Sequence, residues 1–214
     1  MGAGRVSRLI VWRHGNTDWN ATHRVQGQTD VPLNELGRQQ AVDAADLLIK
    51  MRPAVIVSSD LHRAADTAAA LAALTGLSIR QDTRLRERYF GAWQGHTMTE
   101  VAQLFPDQHA RWQAGQEVGG DVESLDELGR RVSDAVLDAA ALAPPGGTVV
   151  VATHGAAARQ GVGHLLGWPI EQLRTLRALQ NCHWIELTLD DKRGWQVAAY
   201  NVGPFSERPV PPPV

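Results

Sequence analysis

Cysteine, long apolar runs and net charge are all scarce in this chain of 214 residues. The single cysteine, Cys182, excludes an intramolecular disulfide. No apolar run approaches the roughly 20 residues that a membrane-spanning helix needs, and the N-terminus has no signal-type pattern, so the sequence predicts a cytoplasmic protein with no membrane partner. Lys and Arg number 21 against 23 Asp and Glu, a formal charge of −2, which leaves no basic field for nucleic acid. Any preference for anions must then come from a local cluster of side chains. A GxxxxGK[ST] loop and a paired-carboxylate Mg²⁺ site are also missing, so the usual phosphate devices built on P-loops or metals are unsupported, and no metal or cofactor is expected.

What is present is an alternation of short apolar runs with helical patterns. Residues 9–13, 54–58, 78–80 and 148–153 read as strands, and the segments between them carry apolar residues at helical spacing. Helices are expected from Asn34 to about Met51, from Leu61 to Leu74 behind the cap material Ser58-Ser59-Asp60, from Ser124 to about Leu142, from Ala156 to Leu166 and around Glu171 to Leu176. Pro106 divides a further helical stretch between Thr97 and Trp112. Residues 16–31 lack an apolar period and read as a loop, as does the Arg- and Gly-rich run from Leu85 to Gly95. Cys182 to Leu189 alternates and returns from Trp195 to Tyr200, an antiparallel hairpin at a sheet edge that could pair two copies into a homodimer. The fold class predicted is α/β, a three-layer α/β/α sandwich with a mostly parallel central sheet. One domain over residues 1–202 is expected, with a frayed start over 1–7 and a Pro-rich flexible tail over 203–214.

Parallel sheets bind ligands beyond the carboxyl ends of their strands. The run Leu9 to Trp12 ends in Arg13-His14-Gly15, the run Thr148 to Thr153 ends in His154-Gly155, and Arg63 follows the second strand within one helical turn. These groups should converge on one pocket. Two arginines with two histidines suit a phosphate monoester, because the guanidinium fork matches phosphate oxygens in pairs. With no metal and no cysteine nucleophile, histidine is the best available nucleophile. Each residue also has a structural reading. Arg63 could pair with Asp60 or Asp66, His154 could be a satisfied buried group, and Glu87 could belong to a solvated cluster with Arg84, Arg86 and Arg88.

The motifs Arg13-His14-Gly15, Ser58-Ser59-Asp60-Leu61-x-Arg63-Ala64, Leu85-x-Glu87-x-x-x-Gly91-x-Trp93-x-Gly95 and His154-Gly155 resemble those of the histidine phosphatase superfamily, also called phosphoglycerate mutase-like. The resemblance runs in order from Leu9 to about Leu189. It implies that His14 is the nucleophile that becomes phosphohistidine, that Arg13, Arg63 and His154 hold the transferring phosphoryl group, and that Glu87 is the proton donor and later the base that activates water. It further implies substrate contacts from Asn20, Gln26, Gly27, Arg24, Arg86 and Glu123. An in-line transfer needs a fixed neutral imidazole, so the second ring nitrogen of His14 should donate to a backbone carbonyl. Two family segments are altered. Val122 stands where the family has Gly before Glu123-Ser124, and Asn181-Cys182-His183 stands for Asn-x-Ser. The wording around His14, Gln26 and Glu87 resembles a branch acting on phosphorylated sugar acids, with the extra arginines taking a carboxylate. The rival readings are a phosphoglycerate mutase, which returns the phosphate to a substrate, and a phospho-ligand binder without catalysis.

Overall fold

The computed structural model describes residues 8–204. The expected frayed start over 1–7 and all but the first two residues of the expected Pro-rich tail lie outside the described residues. The strands are β1 (Arg8–Arg13), β2 (Pro53–Ser58), β3 (Ile79–Gln81), β4 (Thr148–Thr153), β5 (Trp184–Asp190) and β6 (Gly194–Val202). The helices are α1 (Asp18–Ala21), α2 (Glu35–Leu48), α3 (His62–Thr75), α4 (Met98–Leu104), α5 (Pro106–Gln113), α6 (Leu125–Ala141), α7 (Gly155–Leu165) and α8 (Ile170–Arg174).

Six strands make one sheet in the order β3-β2-β4-β1-β5-β6. The first four run parallel, and the β5–β6 hairpin closes one edge antiparallel. Successive side chains of a strand point to opposite faces, and β1 shows what each face meets. Leu9 and Val11 join the apolar residues of α6 and α7, among them Leu128, Val132, Ala157 and Val162. Ile10 and Trp12 join those of α2 and α3, including Ala44, Leu48, Ala68 and Leu71. All four β1 residues are fully buried, which is why the run is apolar without alternation. Burying one such side chain contributes roughly 1.5–3 kcal/mol relative to leaving it in water, so the centre of the sheet is anchored where the site begins. Among the described residues no helix is long and apolar enough to cross a membrane.

Two local expectations are corrected. Residues 16–31 are not all loop, because Thr17 and Asn20 form a reciprocal capping box that winds α1. The Ser58-Ser59-Asp60 run does not cap α3, whose N-cap is Leu61 without a side-chain bond. Asp30 does that work from 32 residues away, its Oδ1 accepting from the His62 N–H at 2.8 Å. A third, smaller apolar cluster of Trp93, Val101, Val118 and Val122 underlies the segment that connects β3 to α6.

Candidate active site

The parallel strands β1, β2 and β4 end at the same edge, and the ladder continues one residue beyond β1 and β2. The His14 N–H donates to Thr153 O at 2.9 Å, and the Ser59 N–H donates to Ala152 O at 2.9 Å. This ties His14 and Ser59 to the neighbouring strand, and His154, which follows β4 directly, is the N-cap of α7. Gly15 then lets the chain turn under α2, since a Cβ there would lie 2.4 Å from Gly37 O.

His14 is 3 % exposed, and its Nδ1 lies 2.6 Å from Gly15 O. A carbonyl can only accept, so Nδ1 carries the proton and Nε2 keeps the lone pair. Burial pushes the His14 pKa well below 6.5, and the Arg63 and Arg13 guanidiniums push it further the same way. The imidazole is therefore neutral, as the sequence argument requires. His154 lies beside it, with ring centroids 5.2 Å apart and tilted by 59°. Its Nδ1 accepts from Arg63 Nε at 3.2 Å, which makes Nε2 the donor to Ser59 Oγ at 2.9 Å. Desolvation, then Arg63, lowers the His154 pKa well below 6.5 as well.

Arg63 is fully buried and does not pair with Asp60 or Asp66. Besides His154 it donates to Thr29 O at 2.8 Å and Gly27 O at 2.7 Å, so the guanidinium holds the 27–29 loop against the histidines. Gly27 takes φ +52°, a conformation that favours glycine. Burial lowers the Arg63 pKa to about 10, which leaves it cationic at neutral pH. Arg13 Nη1 donates to Leu179 O, while its Nε is buried and has no hydrogen-bond partner among the described residues. Arg13 lines the cavity described next.

Glu87 is not part of an arginine cluster. Its carboxylate accepts from the backbone N–H groups of Ala156 at 3.0 Å and Ala157 at 2.9 Å, in the first turn of α7, and from Arg88 N–H at 2.8 Å. The helix N-terminus suits the negative charge. A cavity of about 200 Å³ brings together Arg13, His14, Asn20, Arg24, Gln26, Gly27, Arg63 and Glu87, with Val25 and Phe90 completing its wall. Gln26 Oε1 is a second buried polar atom with no partner among the described residues. His154, expected to hold the phosphoryl group, does not line this cavity, because its two ring nitrogens are taken by Arg63 and Ser59. The whole is a cationic pocket around a neutral histidine with a carboxylate on one side, which can bind a phosphoryl group and pass a proton.

Arg86 and Glu123 are not brought to this cavity. Arg86 is committed to Asp60, its Nε 2.8 Å from Oδ1, and Glu123 is gripped by Arg131 Nε at 2.6 Å. Arg84 likewise pairs with Asp82 and Asp138, and Arg88 donates to Glu123 O and lies over the Phe90 ring. Of the arginines expected to serve a second anionic group, Arg24 alone lines the cavity. The sequence argument passed over Ser59 and Asn181. Asn181 Nδ2 donates to His14 O at 3.0 Å and Gly15 O at 3.1 Å, steadying the carbonyl that fixes the His14 tautomer. Its place in the altered Asn-x-Ser segment was the available signal. Among the described residues no group of three or more His, Cys, Asp or Glu could hold a metal ion.

Three comparisons bear on this site. The family model described as histidine phosphatase superfamily (branch 1) matches residues 9–203. A glucosyl-3-phosphoglycerate phosphatase from Mycolicibacterium vanbaalenii is 40% identical over 190 residues, covering 86% of this chain and 84% of that one. A probable phosphoglycerate mutase from Yersinia pestis is 38% identical over 182 residues, covering 82% and 81%. The solved structure of a mycobacterial glucosyl-3-phosphoglycerate phosphatase in complex with VO3 superimposes with a TM-score of 0.82 at 36% identity, covering 92% of this chain and all of that one.

Proposed function

Because the chain belongs to the histidine phosphatase superfamily (branch 1), we propose that it hydrolyses phosphate monoesters through a phosphohistidine formed on His14. The observation that carries this reading is the His14 imidazole, fixed through Nδ1–H on Gly15 O at the wall it shares with Arg13, Arg63 and Glu87. Phosphoryl transfer depends mainly on positioning and on charge aimed at the transferring group. Nε2 of His14 attacks phosphorus in line as the bond to the ester oxygen breaks. Arg13 Nε and the Arg63 guanidinium take the phosphoryl oxygens, each such preorganised donor being worth roughly 3–4 kcal/mol in comparable oxyanion sites. Glu87, in its protonated form, gives its proton to the leaving alkoxide. As carboxylate it then takes a proton from the water that attacks the phosphohistidine, and orthophosphate leaves with His14 restored. His154, held between Arg63 and Ser59, orients the Arg63 guanidinium that takes the phosphoryl oxygens. Every step uses side chains of this chain alone, and no metal or cofactor is invoked.

The substrate class proposed is a phosphorylated sugar acid of the glucosyl-3-phosphoglycerate type. The similarity to a phosphatase of that name supports it; Arg24 also lines the cavity, with its Nη1 held by Glu100 at 3.1 Å and Gly95 O at 2.7 Å. The same reading assigns the enzyme to the cytoplasm and pairs two copies along β6, one of the two edge strands of the sheet; light scattering checks the pairing. Product analysis tests the activity. With 3-phosphoglycerate, free phosphate is expected and 2-phosphoglycerate is not, and activity is expected to survive chelators. Accumulation of 2-phosphoglycerate would move the chain to the mutase reading.

A further inference from the structure

The catalytic cavity, at about 200 Å³, is smaller than the roughly 300–1,000 Å³ of a typical small-molecule site. It holds a phosphoryl group with little beside it. The remainder of a sugar-acid phosphate must lie outside. A second cavity of about 550 Å³ adjoins the first, since Gln28 and Tyr89 line it while their chain neighbours Gly27 and Phe90 line the catalytic one. The wall between them is the Glu87 segment. Its side chain faces the catalytic cavity, and its carbonyl accepts from Gln28 Nε2 at 3.1 Å and Arg131 Nη2 at 3.0 Å, both from residues of the second cavity.

We propose that this second cavity is the subsite for a neutral, hydroxyl-rich group, the glycosyl part of the substrate, and that Tyr89 is its platform. The inference rests on the proposed function and adds where specificity for the sugar is decided. The charges argue for a neutral guest. Asp121, Glu123 and Glu127 face Arg130 and Arg131 around the cavity, three carboxylates against two guanidiniums. Arg131 is spent on Glu123 and on the carbonyls of Arg84, Arg86 and Glu87. No surplus positive charge is left for a second anion, whereas carboxylate and amide oxygens are good acceptors for sugar hydroxyls. Tyr89 is 41% exposed, an aromatic ring presented to solvent at the cavity. A ring with an apolar face and a polar tip suits a sugar, which offers C–H groups on one face and hydroxyls at its edge.

The test compares two esters that share a phosphoglycerate end, glucosyl-3-phosphoglycerate and 3-phosphoglycerate. Tyr89→Ala is expected to raise KM for the glucosylated ester roughly 3- to 10-fold, the size of one aromatic contact. It should leave kcat, and both parameters for 3-phosphoglycerate, within about twofold. Arg130→Trp, which fills the cavity from the exposed face of α6, should produce the same split without touching Tyr89. Equal losses on both esters, or no loss on either in both variants, would overturn the proposal. If the wild type released phosphate from neither ester, the functional reading would fail first and the subsite with it.

Discussion

The strand-end edge and the segment from β3 to α6 both carry arginines beside acids, yet they use them in opposite ways. At the edge, buried Arg63 and half-buried Arg13 lie among neutral histidines and carbonyl oxygens, and one of their donors has no partner among the described residues. Arg84 and Arg86 in the connecting segment, and Arg131 in α6 beside it, are each matched to carboxylates and do not line the catalytic cavity. Arg13 and Arg63 face the cavity without a carboxylate partner among the described residues, whereas the paired cations, Arg24 with Glu100 among them, hold loops in shape. Glu87 stands at the junction. It belongs to the second region by sequence and to the first by geometry, because α7 captures its carboxylate.

The largest effect that would test this division is expected at that junction. Glu87→Gln keeps the shape but cannot transfer the proton, so kcat should fall by about 10²- to 10⁴-fold. The loss should be smaller on p-nitrophenyl phosphate, whose leaving group needs less protonation. An equal loss on alkyl and aryl esters would argue against the acid role. Next comes Arg131→Ala, which removes the clamp on three carbonyls and leaves Glu123 without its partner. A loss of about 2 kcal/mol in denaturant unfolding is expected, with kcat lowered further through a loosened Glu87.

Acid separates the two regions by the pH at which each responds. Both lose stability as pH falls, the histidines below about 6.5 and the arginine-paired Asp60 and Asp82 only below about 3.8. His14 and His154 have folded pKa values depressed well below 6.5, so the unfolded chain binds more protons than the folded one just below that pH. Stability contributed by the neutral histidines is present above about 6.5 and is lost as pH falls below it. The double variant His14→Gln/His154→Gln should flatten that limb of the pH–stability curve, and an unchanged limb would place the acid sensitivity elsewhere. The smallest effect is expected for Arg86→Ala. Its pair with Asp60 is about a third exposed on the arginine side, so stability should change by no more than about 1 kcal/mol and hydrolysis of small esters hardly at all. A large fall in kcat would return Arg86 to the site.

The same division explains what was legible in the sequence. β1 and β4 were readable because a strand buried on both faces is a short apolar run, and the polar residue after such a run has one place to go. His14, Arg63 and His154 follow from that rule. The uses of Arg86 and Glu123 were not readable, because any of several arginines can satisfy a given carboxylate in the linear sequence and only the folded loop chooses. The cap that Asp30 provides for α3 is hidden for the same reason, being 32 residues from the N–H it accepts. α1 escaped notice because four residues offer no apolar period and its cap uses Asn20 in place of Glu or Gln.

The claim on which the rest depends is that His14 itself carries the phosphoryl group. Rapid quenching of the wild-type enzyme during turnover, followed by mass spectrometry of its peptides under alkaline conditions, tests it directly. The expected result is one phosphoryl group on the peptide containing His14, formed and lost at rates consistent with kcat, and absent from His14→Ala, which should release no phosphate. A His14→Ala enzyme that still hydrolyses substrate, or a phosphoryl group found on His154 instead, would contradict the account.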